Sequence, residues 1–506
     1  MKDITSKLIR YVLICEAVIL CWIIMNGIFA YNKISYDFNP IILMIGITIY
    51  FFIICKLYKK ILDTISRYRY IEYILFGIFT ILAIVSGIYF RVDPGWDMGT
   101  CFEIAKDWNQ NGAIEANQYL SQFPNNIMMT IIDYIIIKIL TLFNVDNLIL
   151  GITIITALII SLSVILGFYI VKKIYSRDKA LLYVFICIFT SPLYLYSAEY
   201  YTDTFSMIIP LLILLAYIKV RKDGVKPKKR IINNLIIAFL IFMALKIKLT
   251  AAFIFIAIVM YEVVQKNTKK CIKQWIEIVL IVVVMSWLFN VIFVNKIAPK
   301  GMREIYEIPK VHWIMMGMNG TGTFNADEYA YTMAPENKTI EDKKRADMEM
   351  IKERIVTRSS CEHFKNLTNK LGYAWHDGTY FVPVVLGVNP QSKKLLHEFI
   401  LRDGKYTKYY KYIPQIMHFS MLIFIFINIC RNAKIKKLKS IDLILFLTIL
   451  GIILFFLIWE NRSRYIVNTI PILIIAQING IEYVSKHFIK EKEIKFKILE
   501  FVGWQW

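Results

Sequence analysis

Residues 71–100 read IEYILFGIFTILAIVSGIYFRVDPGWDMGT, an apolar run that ends in a polar stretch with two acids. The run extends from Ile71 to Phe90, and its one charged residue, Glu72, lies at its start. A helix of about 20 apolar residues spans the hydrocarbon core of a bilayer. The stretch therefore predicts a membrane-spanning helix that delivers Asp93 and Asp97 to one membrane surface.

The rest of the chain repeats this pattern. Its 506 residues are 57% hydrophobic and 19% charged, and the mean hydropathy is +0.53. Soluble domains are about 45–50% apolar and about 25% charged. Apolar runs of about 17 to 24 residues recur along the chain, so the sequence predicts an all-α polytopic membrane protein with about twelve transmembrane helices.

The net charge of +22 is consistent with binding nucleic acid or an anionic membrane surface. The basic residues cluster in short segments between apolar runs, as at Lys59, Lys60, Arg67 and Arg69. This distribution is typical of cytoplasmic loops beside anionic lipid. We therefore expect membrane lipids as partners, no nucleic acid, and a multi-pass protein of the cell membrane with both termini inside.

The pattern of apolar runs divides the chain into four parts. Two N-terminal helices occupy 1–70, a membrane module with an outer loop at 91–147 occupies 71–296, a large outer segment occupies 297–412, and C-terminal helices with a basic tail occupy 413–506. The predicted spans are Tyr11–Tyr31, Pro40–Leu57, Ile71–Phe90, Leu148–Val171, Ala180–Ser197, Asp203–Val220, Ile231–Leu245, Thr250–Val264, Trp275–Val294, Ile413–Cys430, Ile441–Trp459 and Ile466–Val484.

One further apolar run, Ile127 to Phe143, conflicts with a simple membrane crossing. It carries Asp133 and Lys138 near its middle, and counting it as a span would place the basic residues that follow Val171 outside. The conflict disappears if this run lies along the outer surface as an amphipathic helix. We therefore predict an interfacial helix in the first large outer loop.

This topology collects polar residues at the outer ends of the spans. Two acids and several cations around one outer cavity suit a lipid-linked phosphate. Lys and Arg stabilise charge on a departing phosphate, a carboxylate removes a proton from the attacking hydroxyl, and a second carboxylate orients the acceptor or holds a divalent cation. The residues are Asp93, Asp97, Glu199, Tyr200, Tyr201, Asp203, Lys246, Lys248, Glu460, Arg462, Arg464 and Tyr465.

Each of these residues also has a purely structural interpretation. Asp93 precedes Pro94 and is typical of a turn. Asp203 has the position of an N-cap, Lys246 and Lys248 are placed to extend toward lipid head groups, and Glu460 could pair with Arg462 or Arg464 at a helix end. Two cysteines, Cys101 and Cys361, fall in polar loops, where they form a disulfide or remain free thiols.

Four short stretches resemble the glycosyltransferase C superfamily of polyprenyl-phosphate-sugar-dependent membrane transferases, closest to its protein mannosyltransferase and aminoarabinose-transferase branch. The resemblance covers Ile71 to Ser286 and Trp459 to Ile474. The stretches are Trp96-Asp97 with Phe102-Glu103-Ile104-Ala105 and Gly112, Tyr119 to Asn126, Glu199 to Asp203, and Glu460 to Tyr465 with Pro471. Familiar members have an adjacent Asp-Glu pair in the first outer loop, whereas Met98 follows Asp97 here.

The resemblance implies an inverting glycosyltransferase with its active site on the extracytoplasmic face. It would move a sugar from a polyprenyl-phosphate donor to a hydroxyl of a cell-surface glycopolymer, such as a teichoic acid or capsular chain, or of a protein.

Asp97 would be the catalytic base, and Asp203 would orient the acceptor or a cation. The two carboxylates would also hold Mg²⁺ or Mn²⁺ if a metal is used. The donor phosphate would bind Lys246, Lys248, Arg462 and Arg464, while Trp96, Tyr200, Tyr201, Glu460 and Tyr465 would contact substrate. The alternatives are a flippase or transporter for a lipid-linked saccharide and a polysaccharide polymerase or ligase.

Overall fold

The computed structural model describes residues 2–29, 38–220, 227–266, 269–392, 394–435 and 440–501, and within these ranges the chain is built of helices. One isolated antiparallel bridge joins Val92 to Pro390. The all-α prediction is confirmed. The predicted basic residues at 221–226, 436, 437 and 439, and the predicted end of the first span at Tyr31, lie outside the described residues.

The long helices fall into three groups along the chain. The first group is α1 Lys2–Phe29, α2 Pro40–Asp63, α3 Ile71–Tyr89, α4 Trp96–Asn111, α5 Ile127–Leu142, α6 Leu148–Ile174 and α7 Arg177–Phe189. The second is α8 Ile208–Val220, α9 Pro227–Ile247, α10 Phe253–Lys266 and α11 Lys269–Phe289. The third is α12 Ile340–Thr357, α13 Ser360–Trp375, α14 Thr407–Lys434, α15 Ser440–Ile458 and α16 Ile470–Phe501.

Among the described residues, 11 helices are long and apolar enough to cross a membrane, or up to 12 if the bent pair Arg177–Phe189 and Ser191–Ala198 is one span. That pair, bent by 64°, covers the span predicted at Ala180–Ser197. The span predicted at Thr250–Val264 is present as a shorter apolar helix, Leu249–Val264. The prediction of about twelve transmembrane helices is therefore confirmed in number.

Helix α5 passes the hydropathy test for a span, but its contacts favour the predicted position along the membrane surface. Its Tyr134 ring stacks on Trp108 of α4, with 4.0 Å between ring centroids. Helix α4 exposes Glu103 and Lys106, which are costly to place in hydrocarbon. Asp133, near the middle of α5, accepts a hydrogen bond from Tyr200 in the turn after the bent pair. Helix α5 thus lies at the level of the span ends.

The 297–412 segment is a set of helices that packs on this same end of the bundle. The backbone N–H of Asn461 donates to Gly322 at 2.9 Å, and that of Glu460 donates to Trp313 at 3.1 Å. On the other side, Ile308 N–H donates to the carbonyl of Gln122 at 3.2 Å. The segment therefore contacts both the α4–α5 connection and the stretch that precedes the last helix.

The last helix, α16, is held close to α14. A Cβ atom added at Gly480 would lie 2.1 Å from the carbonyl oxygen of Phe424. Small residues permit such close backbone approach between membrane helices. This contact helps set the depth of α16 and so the height of the arginine stretch at its start.

Candidate functional site

Asp97 lies at the start of α4 with its carboxylate exposed. Tyr119 donates a hydrogen bond to its Oδ1 at 2.9 Å, and Tyr201 donates to its Oδ2 at 3.4 Å. The first turn of a helix stabilises negative charge. The predicted base is thus an oriented carboxylate that remains open to a substrate. By contrast, Asp93 accepts from Gln391 at 2.8 Å beside the Val92–Pro390 bridge, in agreement with its structural interpretation.

Tyr119 is itself oriented by Asn126, whose Nδ2 donates to the tyrosine oxygen at 2.8 Å. Burial and the nearby Asp97 carboxylate raise the pKa of Tyr119 well above its ordinary value, so it remains a hydrogen-bond donor. The sequence of the Tyr119–Asn126 stretch alone does not predict this pair of hydrogen bonds. The one indication in the sequence is the pair Asn125 and Asn126, two polar residues that directly precede the apolar helix α5.

Asp203 is fully buried and contacts two cations. Lys248 Nζ lies 2.7 Å from Oδ1, and Arg464 Nε lies 3.5 Å from Oδ2. The N-cap interpretation of Asp203 is wrong, because the short helix Thr202–Phe205 begins one residue earlier. The lipid interpretation of Lys248 is also wrong, since its ammonium pairs with this carboxylate. Asp203 thus lies between two cations, and its role in orienting an acceptor or a cation stays a prediction.

Three helix ends meet at this ion-pair cluster, and Asn468 joins them. Its Nδ2 donates to Ser206 Oγ at 3.0 Å and to Thr250 Oγ1 at 2.9 Å. In the chain, Ser206 lies shortly after Asp203, Thr250 shortly after Lys248, and Asn468 shortly after Arg464. The amide therefore fixes the relative positions of the segments that supply the charges.

Arg464 is 4% exposed and stacks on aromatic rings. Its Cζ lies 4.0 Å from the ring centroid of Tyr201 and 5.1 Å from that of Trp96. Its Nη1 is buried and has no hydrogen-bond partner among the described residues. A buried guanidinium N–H without an acceptor is costly, so this atom is a donor available for an anionic ligand.

Tyr201 therefore links the two halves of the site. Its hydroxyl donates to Asp97, while its ring carries the guanidinium of Arg464. Trp96, 43% exposed and beside the same guanidinium, remains placed to contact a substrate as predicted. The candidate base and the candidate phosphate-binding cation therefore contact the same tyrosine side chain.

Tyr465 and Glu460 form the second edge of the cluster. Lys248 Nζ lies 4.1 Å from the ring centroid of Tyr465, whose hydroxyl donates to Glu460 at 2.9 Å. Burial raises the pKa of Glu460, against the lowering effect of its hydrogen bond and the neighbouring cations. Among the described residues no ion pair joins Glu460 to either nearby arginine, so its hydrogen bond to Tyr465 replaces the predicted pairing.

Glu199 is buried beside this cluster, and burial raises its pKa to about 8. The nearby Arg464 opposes that shift and Asp203 adds to it. Burial thus favours the neutral form of Glu199. Two basic side chains, Lys248 and Arg464, face the single carboxylate of Asp203, an arrangement that favours an anionic ligand nearby.

Two predicted site residues lie apart from this cluster. Lys246 Nζ lies over the ring of Phe289 in α11, 5.0 Å from its centroid. Lys248 instead pairs with Asp203. The two lysines therefore contact different residues and do not converge on one site. Tyr200 is buried and donates its hydroxyl to Asp133, so it braces α5 and offers no free ring to a sugar.

The predicted divalent-cation site of Asp97 and Asp203 does not fit this arrangement. The Asp203 carboxylate is already paired with Lys248 and Arg464, which repel a metal ion. Within the described ranges, no group of three or more His, Cys, Asp or Glu side chains is arranged to hold a metal. Cys101 is buried, Cys361 is exposed, and both are free thiols.

No curated protein and no solved structure matches this sequence. A family model described as conserved hypothetical integral membrane protein matches residues 5–483, which include most of α1, all of α2 to α15 and every side chain of the site described above. The chain therefore belongs to this family of conserved integral membrane proteins.

Proposed function

We propose that this protein is a membrane glycosyltransferase that moves a sugar from a polyprenyl-phosphate donor to a hydroxyl acceptor. One observation carries the proposal: Tyr201 holds an exposed carboxylate, Asp97, at its hydroxyl and a buried, incompletely hydrogen-bonded guanidinium, Arg464, on its ring. Such a transfer requires a base for the acceptor hydroxyl and a cation for the departing phosphate, and these two residues are candidates for those roles.

In the proposed reaction, the acceptor hydroxyl attacks the anomeric carbon from the face opposite the phosphate. Asp97 takes the hydroxyl proton while the new C–O bond forms, which inverts the anomeric configuration. The bond from the anomeric carbon to the phosphate oxygen breaks, and polyprenyl phosphate leaves with the electron pair. Arg464 stabilises the growing charge on the phosphate. Lys248 lies near Arg464, because both side chains pair with the carboxylate of Asp203.

The resemblance to the glycosyltransferase C superfamily supports the same proposal, because its first, third and fourth stretches converge in one cluster. The positive-inside distribution of lysines and arginines supports an extracytoplasmic position for this cluster. A lipid-linked donor reaches that face from the bilayer. We infer a cell-surface glycopolymer, such as a teichoic acid, as the acceptor, with a protein acceptor as the second choice.

The direct test is reconstitution of the full-length protein in liposomes with a radiolabelled polyprenyl-phosphate sugar and a crude cell-wall fraction. The proposal expects label in the polymer and stoichiometric release of polyprenyl phosphate. Labelled lipid that crosses the vesicle membrane without any release of polyprenyl phosphate would instead identify a flippase.

The flippase alternative has one structural observation in its favour. Glu16 lies within the first span, is fully buried, and neither of its carboxyl oxygens has a hydrogen-bond partner among the described residues. Ionisable groups inside a membrane often mark transport paths. Glu16→Gln should leave sugar transfer within about twofold of wild type if the protein is a transferase, since Glu16 contacts no residue of the site.

Tyr119→Phe should lower the rate of sugar transfer about tenfold, because a hydrogen bond to a charged group contributes about 1.5–3 kcal/mol. Tyr134→Phe, which alters a tyrosine on α5 that stacks on Trp108, is the matched control. Equal effects of the two substitutions would contradict the role of Tyr119.

Glu199→Gln should change the alkaline side of the pH profile. As the pH rises through about 8, wild-type Glu199 ionises beside Arg464 and weakens phosphate binding, so KM should rise about tenfold by pH 9. The glutamine variant should lack this rise. Because the pKa of Glu199 in the folded protein lies above its ordinary value of 4.5, the free energy of unfolding should also fall as the pH rises from 4.5 to about 8. Glu199→Gln should lack this pH dependence of stability.

The control for this prediction is Glu103→Gln, an exposed acid on α4. It should keep the wild-type pH dependence of KM. A glutamine variant at 199 whose KM still rises above pH 8 would show that another group causes the change.

A further inference from the structure

Arg462, two residues before Arg464, rests on the 297–412 segment. Its Cζ lies 4.9 Å from the ring centroid of Phe381, and its Nη2 donates to Thr323 Oγ1 at 3.1 Å. Its Nε is buried and has no hydrogen-bond partner among the described residues. The segment thus orients this guanidinium from two sides and leaves one donor available.

Phe381 reaches Arg462 through an unusual turn. Tyr380 has φ 53° and Phe381 has φ 71°, both in the left-handed region that bulky residues seldom adopt. Such a conformation is unfavourable and persists only where surrounding contacts hold it. Left-handed Trp96, with φ 50°, likewise carries its ring beside Arg464. Each arginine is therefore paired with an aromatic residue in this backbone conformation.

Asp377 holds the turn together. Its Oδ1 accepts from the backbone N–H of Thr379 at 2.9 Å and from Thr379 Oγ1 at 2.6 Å. Its Oδ2 accepts from the N–H of Phe381 at 2.8 Å and from Ser463 Oγ at 2.8 Å. Because Ser463 lies between the two arginines, one buried carboxylate ties the strained turn to the arginine stretch.

We propose that Asp377 and Phe381 are positioning residues, and that the turn of residues 377–381 orients Arg462 to hold the anionic head group of the lipid-linked substrate. This inference rests on the proposed function and extends it. Arg462 adds a second guanidinium to the site, on the side covered by the 297–412 segment. The segment is accordingly part of the substrate-binding site, and substrate affinity depends on its docking.

The first test measures binding of undecaprenyl phosphate to full-length protein in nanodiscs, together with KM and kcat for transfer. Asp377→Asn and Phe381→Leu should each raise Kd and KM about tenfold, because each should cost about one charge-assisted contact with the ligand. The kcat of both variants should stay within about twofold of wild type. Phe381→Tyr, which keeps the ring, should restore wild-type affinity. Unchanged affinity in both disruptive variants would overturn the inference.

The matched control is Asp347→Asn. Asp347 is an equally buried carboxylate in the same segment, and it accepts a hydrogen bond from Thr332 at 2.5 Å away from the arginine stretch. Its substitution should leave Kd for undecaprenyl phosphate unchanged in the folded fraction. If Asp347→Asn weakens binding as much as Asp377→Asn does, general damage to the segment explains the loss and the positioning role is wrong.

A second readout does not depend on sugar transfer. Phenylglyoxal modifies accessible arginines, and the rate at Arg462 is measured by peptide mass spectrometry with exposed Arg345 as the internal reference. Asp377→Asn should raise the rate at Arg462 several-fold, because the guanidinium loses its aromatic support. If the wild-type protein neither binds undecaprenyl phosphate nor transfers sugar, the proposed function fails. The modification rate at Arg462 still tests the positioning role, because an unchanged rate in Asp377→Asn overturns that role.

Discussion

Asp97→Asn is expected to lower the rate of sugar transfer about 10³-fold, within the range of about 10²–10⁴ for loss of a general base. The amide keeps the shape of the side chain and one acceptor oxygen, so either Tyr119 or Tyr201 can still donate to it. It cannot take the proton of the acceptor hydroxyl. The loss should therefore appear in kcat, measured with radiolabelled donor in liposomes that contain matched amounts of each variant.

Asp93→Asn is the control for this result. Asp93 is an exposed acid four residues earlier, and it contacts Gln391 and no member of the ion-pair cluster. It should transfer sugar at close to the wild-type rate. An Asp97→Asn variant as active as wild type would remove the base assignment and leave a polymerase or ligase in which arginines dominate as the better interpretation.

Arg464→Lys is expected to lower kcat/KM about 10²–10³-fold. Lysine retains the charge, but it loses the planar donor set that stacks on Tyr201 and binds a phosphate through two oxygens. Since the phosphate charge grows in the transition state, part of the loss should fall on kcat and part on KM. Steady-state kinetics over a range of donor concentrations separates the two.

Burial complicates substitutions at this position, because removing one partner of a buried ion pair costs about 3–5 kcal/mol of stability. Arg354→Lys is the matched control, since Arg354 is a buried arginine paired with Glu328 inside the 297–412 segment. Both variants should accumulate to similar levels, and only Arg464→Lys should lose transfer. A comparable loss in Arg354→Lys would assign the effect to folding.

The site itself was predictable in part. Asp97 and Arg464 stand out in the sequence because the predicted topology brings them to the same end of the spans, opposite the basic loops. Their partners were not predictable. Tyr119, Asn126 and Asp377 are ordinary polar residues of loops, and their roles come from contacts with residues far away in the chain. The same reason explains the misplacement of Tyr200, whose hydroxyl is used by Asp133.

The two lysines near the end of α9 illustrate the limit of local reasoning. Lys246 and Lys248 lie two residues apart, and sequence alone treats them alike. The helix ends at Ile247, so Lys248 leaves the helical path and pairs with Asp203, while Lys246 stays on the helix against Phe289. Helix ends are set by capping and packing, which composition does not reveal.

By itself, the sequence determined the class of the protein: an all-α membrane protein with about a dozen spans and a large segment at 297–412. The surface position of the helix Ile127–Leu142 stays a prediction. These properties are local, because the length of an apolar run and the charge of its flanks decide whether it enters the bilayer. Only the tertiary structure decided which side chains meet. Packing brought Asp203 to Lys248 and Arg464, joined Asp97 to Arg464 through Tyr201, and set Phe381 beneath Arg462, since such contacts depend on how distant helices approach one another.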